Sequence, residues 1–578
     1  MRRRAIVVAG LAAGALAFAV AGYGGSYTSG VKGTSKKGGT ITVLSNGDVD
    51  HIDPGQAYYQ FTYAITYVTQ RPLLAYKYNS VTPVPDLAAA MPTVSKDGLA
   101  VTVKIKHGIK FSPPVNREVT SADVKYAIER GFASSVANGY ATAYFGVIKG
   151  APAAPTKTVP NIAGIATPDK YTIVFHLAKP SGVFVGALQE PLTAPVPADY
   201  AKKYDTGTSS SYGNHQVATG PYMIQNDAAG KITGYQPGKT ITLVRNPNWN
   251  PKTSWRPAYA DKIVFKEGFD TTVGTKEILA GQADTNGDFP PPPAQIKQIE
   301  SSSSQKKQIE FTSTSGSRYI ALNVRKAPFN NLYVRQAVAY VLDRNAMRLT
   351  RGGVIDGKIA THFISPDFAS VGFNQAGGFN FNPFPSANGS GDVAKAMAMM
   401  KKAGYKSGKY NGPQVTMVSD NATPGSNTAA VVANSLAKIG LNVKTISVDH
   451  SAMYTKFCNV PKNEPNICPN VGWLADFHEP QTLLDPTFNG KNILTTNNSN
   501  WPLLNDPKIN ALMSKAELEL NPETRYKDWG VIDQLITKTA AAIPWLWEQS
   551  PTLYSTKVTH ASELWNGGEP DVSFMSVK

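Results

Sequence analysis

The fold of this chain is indicated by residues 414–449, which read QVTMVSDNATPGSNTAAVVANSLAKIGLNVKTISVD. The first and last parts, 414–420 and 441–449, are rich in Val, Ile and Thr and predict two β-strands. Residues 427–440, which lie between them, predict a helix. A strand–helix–strand order of this kind is typical of α/β lobes.

Similar strands and helices are predicted on both sides of this unit. Apolar residues alternate at Ile41 and Val43, and a turn follows at Asn46. We interpret this pattern as an edge strand. Further strands are predicted at 99–111, 170–177, 238–249 and 541–549, and helices at 119–132, 334–347, 392–405 and 521–540. The Pro-rich stretch 289–295 predicts a stiff crossing segment rather than a strand.

Composition limits the class of protein. A chain of 578 residues predicts three or four compact units, and a hydrophobic content of 42% is enough for large cores. The formal net charge of +16 is spread along the chain, without a dense Lys/Arg tract, zinc-finger spacing or basic helix. We therefore expect no nucleic-acid partner, and interpret the charge as long-range attraction to an anionic envelope surface.

The N-terminal residues 1–22 have the pattern of a secretory signal peptide, because the arginines at 2–4 precede an apolar run of small residues. Cleavage after Ala21 fits that pattern, whereas a lipoprotein signal would need a cysteine where Tyr23 stands. Residues 23–37 are rich in Gly, Ser and Lys and predict a flexible tether. We expect an exported protein, extracellular or at the outer face of the cell membrane. Two explanations of Tyr23 stay open: a released form, or a lipidated cysteine replaced in this sequence.

The chain has two cysteines, Cys458 and Cys468. In an exported protein we expect them to form a disulfide that closes a Pro/Asn-rich loop. A metal site at these cysteines is not expected, because no four-ligand set accompanies them.

Several segments together resemble the extracellular solute-binding proteins of the oligopeptide/dipeptide ABC importers, family 5. These segments follow the family's order over nearly the whole mature chain. They are GGTITV with DHIDP near the N-terminus, VPDLAAAMPTVSKDGLAVTVKIKHGIKFSPPVNREVTSADVKYAIER ending at Arg130, ATGPYMI at 218–224, LVRNPNW at 243–249, ALNVRKAPFNNLYVRQAVAYVLDRNAM at 321–347 and GWLADFHEP at 472–480. The sequence departs from the family at FSPPVNREVT, which lacks the usual wording after the phenylalanine, and at Tyr23.

The resemblance implies an α/β fold of the type II periplasmic-binding-protein class, with two lobes and an extra subdomain in the first lobe. Two hinge strands would join the lobes, which close over the ligand. The first lobe would comprise residues 38–56, 205–315 and 541–578, with the extra subdomain at 57–204, and the second lobe residues 316–540. The implied function is to capture short peptides and deliver them to the membrane permease of an ABC transporter. We expect a monomer without a cofactor.

The resemblance also implies a ligand site around GWLADFHEP. In peptide-binding relatives the acid that matches Asp476 binds the α-ammonium of the ligand, although such a residue could instead only cap a turn. Trp473 would pack against the ligand or serve the core, and Gly472 would allow close approach of backbone or serve a turn. Tyr319 and Asn323 could lie at the crossing between the lobes or be structural.

Other functions are less consistent with these residues. The sequence contains no G-x-S-x-G elbow, H-E-x-x-H pair or phosphate-binding Gly loop, so we expect no enzyme. The alternative keeps the fold and transport role but changes the ligand to an oligosaccharide or another solute, such as a nickel or haem complex. Asp476 favours peptides, because a neutral sugar offers no cation to a buried carboxylate. The cation that some oligopeptide binders carry two positions before GW is Asn470 here, so no residue is assigned to the far end of the ligand.

Overall fold

The computed structural model describes residues 34–78, 80–565 and 568–578. The predicted signal peptide 1–22, Tyr23 and most of the tether 23–37 lie outside the described residues. At the end of the tether, the Lys36 backbone N–H donates to the Ser576 hydroxyl at 2.7 Å, and that hydroxyl donates to the Lys36 carbonyl at 2.9 Å. Within the described part of the chain, no helix has both the length and the hydropathy of a membrane-crossing segment.

The predicted strand–helix–strand unit is confirmed. Strands Val415–Asp420 and Val443–Val448 pair in parallel along their length, and the helix Gly425–Ala437 connects them. Val432 and Leu436 lie four positions apart on the buried face of the helix. This spacing places both side chains over the same part of the sheet.

These strands belong to a seven-stranded sheet. The strands run in the order Ile309–Ser313, Ala542–Leu553, Gly316–Leu322, Ile467–Leu474, Val415–Asp420 and Val443–Val448, with Gly357–Lys358 paired to Ala542–Leu553. The first half of Ala542–Leu553 pairs with Gly316–Leu322 and its second half with Ile309–Ser313. The lobe boundaries predicted at 315/316 and 540/541 therefore fall within this sheet rather than between two sheets.

A second sheet has six strands. The strands run in the order Thr285–Asn286, Thr40–Leu44, Lys262–Lys266, Thr240–Arg245 and Tyr222–Ile224, with Tyr235–Gln236 paired to Thr240–Arg245. Thr40–Leu44 lies between two parallel partners, so the edge strand predicted there is an interior strand. Ile41, Val43 and Leu44 are fully buried, and alternation alone does not distinguish an interior strand from an edge strand.

A third sheet lies wholly within residues 57–204. Its four strands are Thr93–Val94, Ala100–Lys104, Thr172–His176 and Ile165–Asp169, and a separate hairpin pairs Leu74–Tyr76 with Pro83–Pro85. The helix Ser121–Gly131, predicted at 119–132, begins with a capping box between Thr120 and Asp123. The ring of Tyr144 packs against Phe477 with 5.1 Å between ring centroids, so this region contacts the segment after strand Ile467–Leu474.

One predicted helix is divided in two. Helix Leu332–Val341 ends before Asp343, and helix Arg344–Leu349 follows it, where the sequence predicts one helix over 334–347. The Asp343 carboxylate accepts a hydrogen bond of 2.8 Å from the Ala346 backbone N–H and so begins a new helix. Other α-helices are Gln60–Thr69, Ala141–Phe145, Phe184–Ala187, Ala198–Ala201, Thr271–Leu279, Pro293–Ser301, Val371–Gln375, Val393–Lys402, His450–Ala452, Gln481–Phe488, Pro507–Ala516 and Pro522–Thr539.

Candidate ligand-binding site

A cavity of about 240 Å³ lies between the two larger sheets. Its wall contains Tyr58 and Tyr59, which precede the helix Gln60–Thr69, and Arg318 and Trp473 from the seven-stranded sheet. The acids of the wall are Asp50, Asp288, Asp420, Asp476, Glu548 and Glu569. Its other titratable groups include Arg318, Arg351 and His450. Small-molecule sites usually measure roughly 300–1,000 Å³, so this cavity suits a small and polar ligand.

Asp476 lies two residues beyond the end of strand Ile467–Leu474 and is 8% exposed. Its Oδ2 accepts a hydrogen bond of 2.9 Å from the Tyr58 hydroxyl and a second from the Tyr144 hydroxyl. Both tyrosines belong to residues 57–204, so the acid is held from across the cavity. In the described part of the chain, no Lys, Arg or His side chain forms an ion pair with it.

Burial has the largest effect on the pKa of Asp476. It raises the pKa of this carboxyl to about 7, although the hydrogen bonds from Tyr144 and Tyr58 favour the charged form and act in the opposite direction. A second buried acid, Glu190, is close by. The Gln189 side-chain amide donates to a Glu190 oxygen and, at 2.8 Å, to the Asp476 carbonyl. Burial and then the charge of Asp476 raise the pKa of Glu190 well above its ordinary value.

Gly472 and Trp473 also line the cavity. The backbone N–H of Gly472 donates to the Tyr454 hydroxyl at 3.1 Å. A Cβ at position 472 would lie 3.4 Å from Arg318 Nη1, so Gly472 leaves the face of the guanidinium uncovered. Trp473 donates from Nε1 to the Thr482 carbonyl at 2.7 Å. Trp473 is 8% exposed, so it forms the wall more than it offers surface to a ligand.

The structure places the other two predicted site residues, Tyr319 and Asn323, outside the lining of this cavity. The Tyr319 ring lies in an aromatic cluster, 5.4 Å from Phe363 and 5.6 Å from Trp501 between ring centroids. The Asn323 side chain accepts a hydrogen bond of 3.0 Å from the Arg325 backbone N–H and so stabilises a turn. Tyr319 lies in strand Gly316–Leu322 and Asn323 follows it, and their side chains serve the core and a turn.

Arg318, with its neighbour Ser317, lines the cavity from that strand. Its Nε donates to Glu548 at 2.6 and 2.7 Å, and Arg351 contacts the same carboxylate at 3.1 Å. Burial opposes the charged form of Glu548, but the two arginines outweigh it and lower its pKa. Two guanidinium groups thus share this carboxylate. Neither Nη atom of Arg318 donates a hydrogen bond to a protein group in the described residues, so both remain available to a ligand.

His450 and Asp420 form a second ion pair in the wall, with 2.7 Å between Nδ1 and Oδ1. Burial would lower the pKa of His450, but the negative charge of Asp420 outweighs it and raises that pKa. Asn470, which stands where some peptide binders have a cation, donates to the other Asp420 oxygen at 3.0 Å. Asn470 therefore supports the pair and does not supply a charge.

Cys458 and Cys468 are joined by a disulfide. Cys468 belongs to strand Ile467–Leu474, and Cys458 ends the helical turn Met453–Cys458, which contains Tyr454. The disulfide thus attaches the turn that carries Tyr454 and Thr455 to the strand that carries Asn470, Trp473 and Leu474, and all of these residues line the cavity. No group of three or more His, Cys, Asp or Glu side chains suited to a metal ion occurs among the residues that the structure describes.

Sequence analysis did not identify Tyr58, Tyr144, Arg318, Glu548 or His450. None of them belongs to a motif that points to a ligand, and their proximity depends on contacts between distant parts of the chain. The spacing between Tyr58 and Asp476 is 418 residues. The one available signal was the tyrosine-rich stretch that begins at Tyr58, and a run of aromatic residues alone is equally typical of a core.

Comparisons with known proteins identify the family and support the fold. A sequence model of the bacterial extracellular solute-binding proteins, family 5, matches residues 82–494. The glutathione-binding protein GsiB of Escherichia coli O6:K15:H31 is 26% identical over 479 residues, which cover 81% of each chain. A solved structure of the clavulanic acid biosynthesis oligopeptide binding protein 2 is similar, with a TM-score of 0.77, 25% identity and coverage of 95% of this chain and 99% of the other. The fold also matches Listeria monocytogenes OppA bound to peptide, with a TM-score of 0.75, 18% identity and coverage of 94% and 100%.

Proposed function

Because the chain belongs to family 5 of the bacterial extracellular solute-binding proteins, we propose that it captures short peptides and delivers them to the permease of an ABC importer. Similarity to a glutathione-binding protein and to an oligopeptide-binding protein supports this class of ligand. The protein acts by binding and release rather than by catalysis. It works as a monomer outside the cell membrane, where members of its family bind their solutes.

One observation carries the proposal: Asp476 is a buried carboxylate in the cavity wall without a cationic partner among the described residues. Leaving a charge in such a place is unfavourable unless a cation enters. The α-ammonium of a peptide supplies a full positive charge and three donors. A hydrogen bond to a charged group contributes about 1.5–3 kcal/mol, which is enough to select a free N-terminus over a blocked one.

The far end of the peptide is assigned to Arg318. Its two Nη atoms match the geometry of a carboxylate, and it shares its one acidic partner, Glu548, with Arg351. Arg318 pairs with Gly472, four residues before Asp476. Four residues of extended chain span at most about 13 Å, which matches a ligand of three or four residues at ~3.3 Å each.

The proposed lobes explain how this site closes. Asp476 comes from the second lobe, whereas Tyr58 and Tyr144 come from the subdomain 57–204 of the first lobe. The two tyrosines reach Asp476 only when the lobes meet, so the site is complete in the closed arrangement alone. The segments that cross between the lobes are the strands around 309–322 and 542–553. A ligand held by both lobes therefore favours closure.

Titration calorimetry with tripeptides tests the proposal. The mature protein, unfolded and refolded to remove carried-over ligand, should bind peptides with a free N-terminus and bind their N-acetylated forms at least tenfold more weakly. Asp476→Asn, which keeps the shape but removes the charge, should abolish this preference. Asp261→Asn is the matched control, because Asp261 lies on the surface beside Arg245. Equal binding of both peptide forms would remove Asp476 from its role, and a response to oligosaccharides alone would replace the proposed ligand.

A further inference from the structure

The cavity is acidic although the whole chain is strongly basic. Its wall contains six acids against two arginines and one histidine. Arg318 and Arg351 are paired with Glu548, and His450 is paired with Asp420. The remaining acids are Asp50, Asp288, Asp476 and Glu569, and none of them forms an ion pair within the described residues. One α-ammonium at Asp476 leaves the other three without an ion-pair partner.

Glu569 is the least satisfied of these acids. It is 3% exposed, and its Oε2 has no hydrogen-bond partner in the described part of the chain. The charged groups that act on it most strongly are Asp288 and Glu563, which are both negative. Burial first, and then these two charges, raise the pKa of Glu569 well above its ordinary value. A carboxyl oxygen without a hydrogen-bond partner is unfavourable in a protein interior unless a ligand supplies that partner.

The neighbouring acids differ in how well they are satisfied. Glu563 accepts hydrogen bonds from the Tyr554 hydroxyl and, at 3.1 Å, from the Thr552 hydroxyl, and it does not line the cavity. Asp288 lines the cavity, and the Tyr59 hydroxyl donates to its carboxylate, at 2.7 and 2.8 Å from the two oxygens. Burial raises the pKa of Asp288, although His450 acts against it. Asp288 and Glu569 are therefore the pair that faces the ligand space.

This pair is separate from the Asp476 end of the cavity. Asp476 accepts its hydrogen bonds from Tyr58 and Tyr144, whereas Asp288 accepts from Tyr59, whose ring centroid lies 6.3 Å from that of His450. Asp288 is instead influenced by His450 and Arg318, which places it towards the carboxylate end. A cation at this pair would thus lie along the ligand rather than at its N-terminus.

We propose that Glu569 and Asp288 form a second cation subsite, which takes the ammonium or guanidinium group of a basic side chain. The ligand is then a short peptide that contains Lys, Arg or a similar basic residue, and this inference rests on the proposed peptide-binding function. A metal ion is the less suitable occupant, because the two carboxylates lack a third His, Cys, Asp or Glu ligand among the described residues.

Calorimetry with matched tripeptides tests this subsite. Lysine is placed in turn at each position of trialanine, and each peptide is compared with its norleucine counterpart, which has the same length but no charge. At one position the lysine peptide should bind at least tenfold more tightly. Glu569→Gln should reduce that ratio to below threefold while it preserves the affinity for the norleucine peptide. Glu300→Gln, on the exposed face of helix Pro293–Ser301, is the matched control and should leave the ratio unchanged.

Proton release provides a second measurement. Because burial and the neighbouring negative charges favour the protonated form of Glu569, we expect a lysine side chain to displace a proton from it. Titrations in two buffers of different ionisation enthalpy should therefore show more protons released for the lysine peptide than for norleucine, and this excess should disappear in Glu569→Gln. If Glu569→Gln folds poorly, Asp288→Asn tests the same subsite and should also lower the lysine preference.

The outcomes separate the two proposals. Tight binding of the peptides with equal affinity for lysine and norleucine would overturn the second subsite and leave peptide binding intact. A lysine preference that persists in both Glu569→Gln and Asp288→Asn would also overturn it. Failure of every peptide to bind would overturn peptide binding, and the second subsite with it.

Discussion

The Tyr58 hydroxyl donates a hydrogen bond of 2.9 Å to Asp476 Oδ2, across 418 residues of sequence. The Tyr144 hydroxyl donates to the same oxygen. These contacts join the region 57–204 to the segment after strand Ile467–Leu474. The residue proposed to bind the α-ammonium of the ligand thus also contacts the region 57–204. Ligand binding and the proposed closure therefore depend on the same carboxylate.

The two tyrosine hydroxyls should therefore contribute to affinity without contacting the ligand's side chains. Tyr58→Phe and Tyr144→Phe each remove one donor that favours the charged form of Asp476. Because a hydrogen bond to a charged group is worth about 1.5–3 kcal/mol, each variant should bind a free tripeptide roughly tenfold more weakly or worse. Calorimetry measures this effect. Tyr333→Phe, at an exposed tyrosine, is the control, and unchanged affinity in both cavity variants would contradict the role.

Asp476 should also make stability depend on pH. Its pKa is raised to about 7 in the folded protein from an ordinary value of 3.8, so the folded state holds a proton that the unfolded chain has lost. The stability that this proton adds to the folded state is complete below about pH 3.8 and is lost as the pH rises through 7. The Asp476→Asn variant lacks this pH-dependent contribution. From pH 5 to pH 8, its unfolding free energy should therefore rise by about 2–3 kcal/mol relative to that of the unchanged protein.

Urea unfolding of the ligand-free protein at the two pH values measures this difference. Asp261→Asn, which alters an exposed carboxylate, should show little change. A pH-independent difference between Asp476→Asn and the unchanged protein would mean that Asp476 is ionised in the empty cavity.

Part of the fold and site could be predicted from local sequence, and the rest depends on long-range packing. The strand–helix–strand unit at 414–449 follows from periodicity and is confirmed. The segment GWLADFHEP contributes Gly472, Trp473 and Asp476 to the cavity wall, and their role in ligand binding stays a prediction. Arg318 and Tyr319 show the limit: they are neighbours on one strand, but Arg318 lines the cavity whereas Tyr319 packs in the core. Successive side chains of a strand point to opposite faces, and the local sequence does not show which face lines the cavity.

Glu569 was missed for a different reason. An acid near the C-terminal end of a chain is usually exposed, and nothing in its neighbours predicts burial. Its electrostatic interaction with Asp288 depends on the approach of the C-terminal segment to the end of strand Thr285–Asn286. Such pairs become visible only when the whole fold is known.

The disulfide should stabilise the protein and hold the cavity wall. Cys458 and Cys468 are ten residues apart, and a loop of this length predicts a loss of roughly 2–3 kcal/mol in the Cys458→Ser/Cys468→Ser double variant. Because the disulfide attaches the turn that carries Tyr454, peptide affinity should fall as well. Thermal unfolding and calorimetry measure both effects. A reductant should lower the Tm of the unchanged protein but not that of the double variant, and an equal response of both would contradict this role.

Arg318 should determine the preference for a free C-terminus. Its Nη atoms are available while its Nε is bound to Glu548, so it can hold the ligand carboxylate without losing its structural partner. The protein should bind a tripeptide acid at least tenfold more tightly than the corresponding amide, and Arg318→Gln should reduce this ratio to near one. Arg245→Gln, at an exposed ion pair with Asp261, is the control. If the Arg318→Gln variant still binds the tripeptide acid more tightly than the amide, another cation of the wall holds the ligand carboxylate. The same titration with His450→Gln then tests whether His450 is that cation.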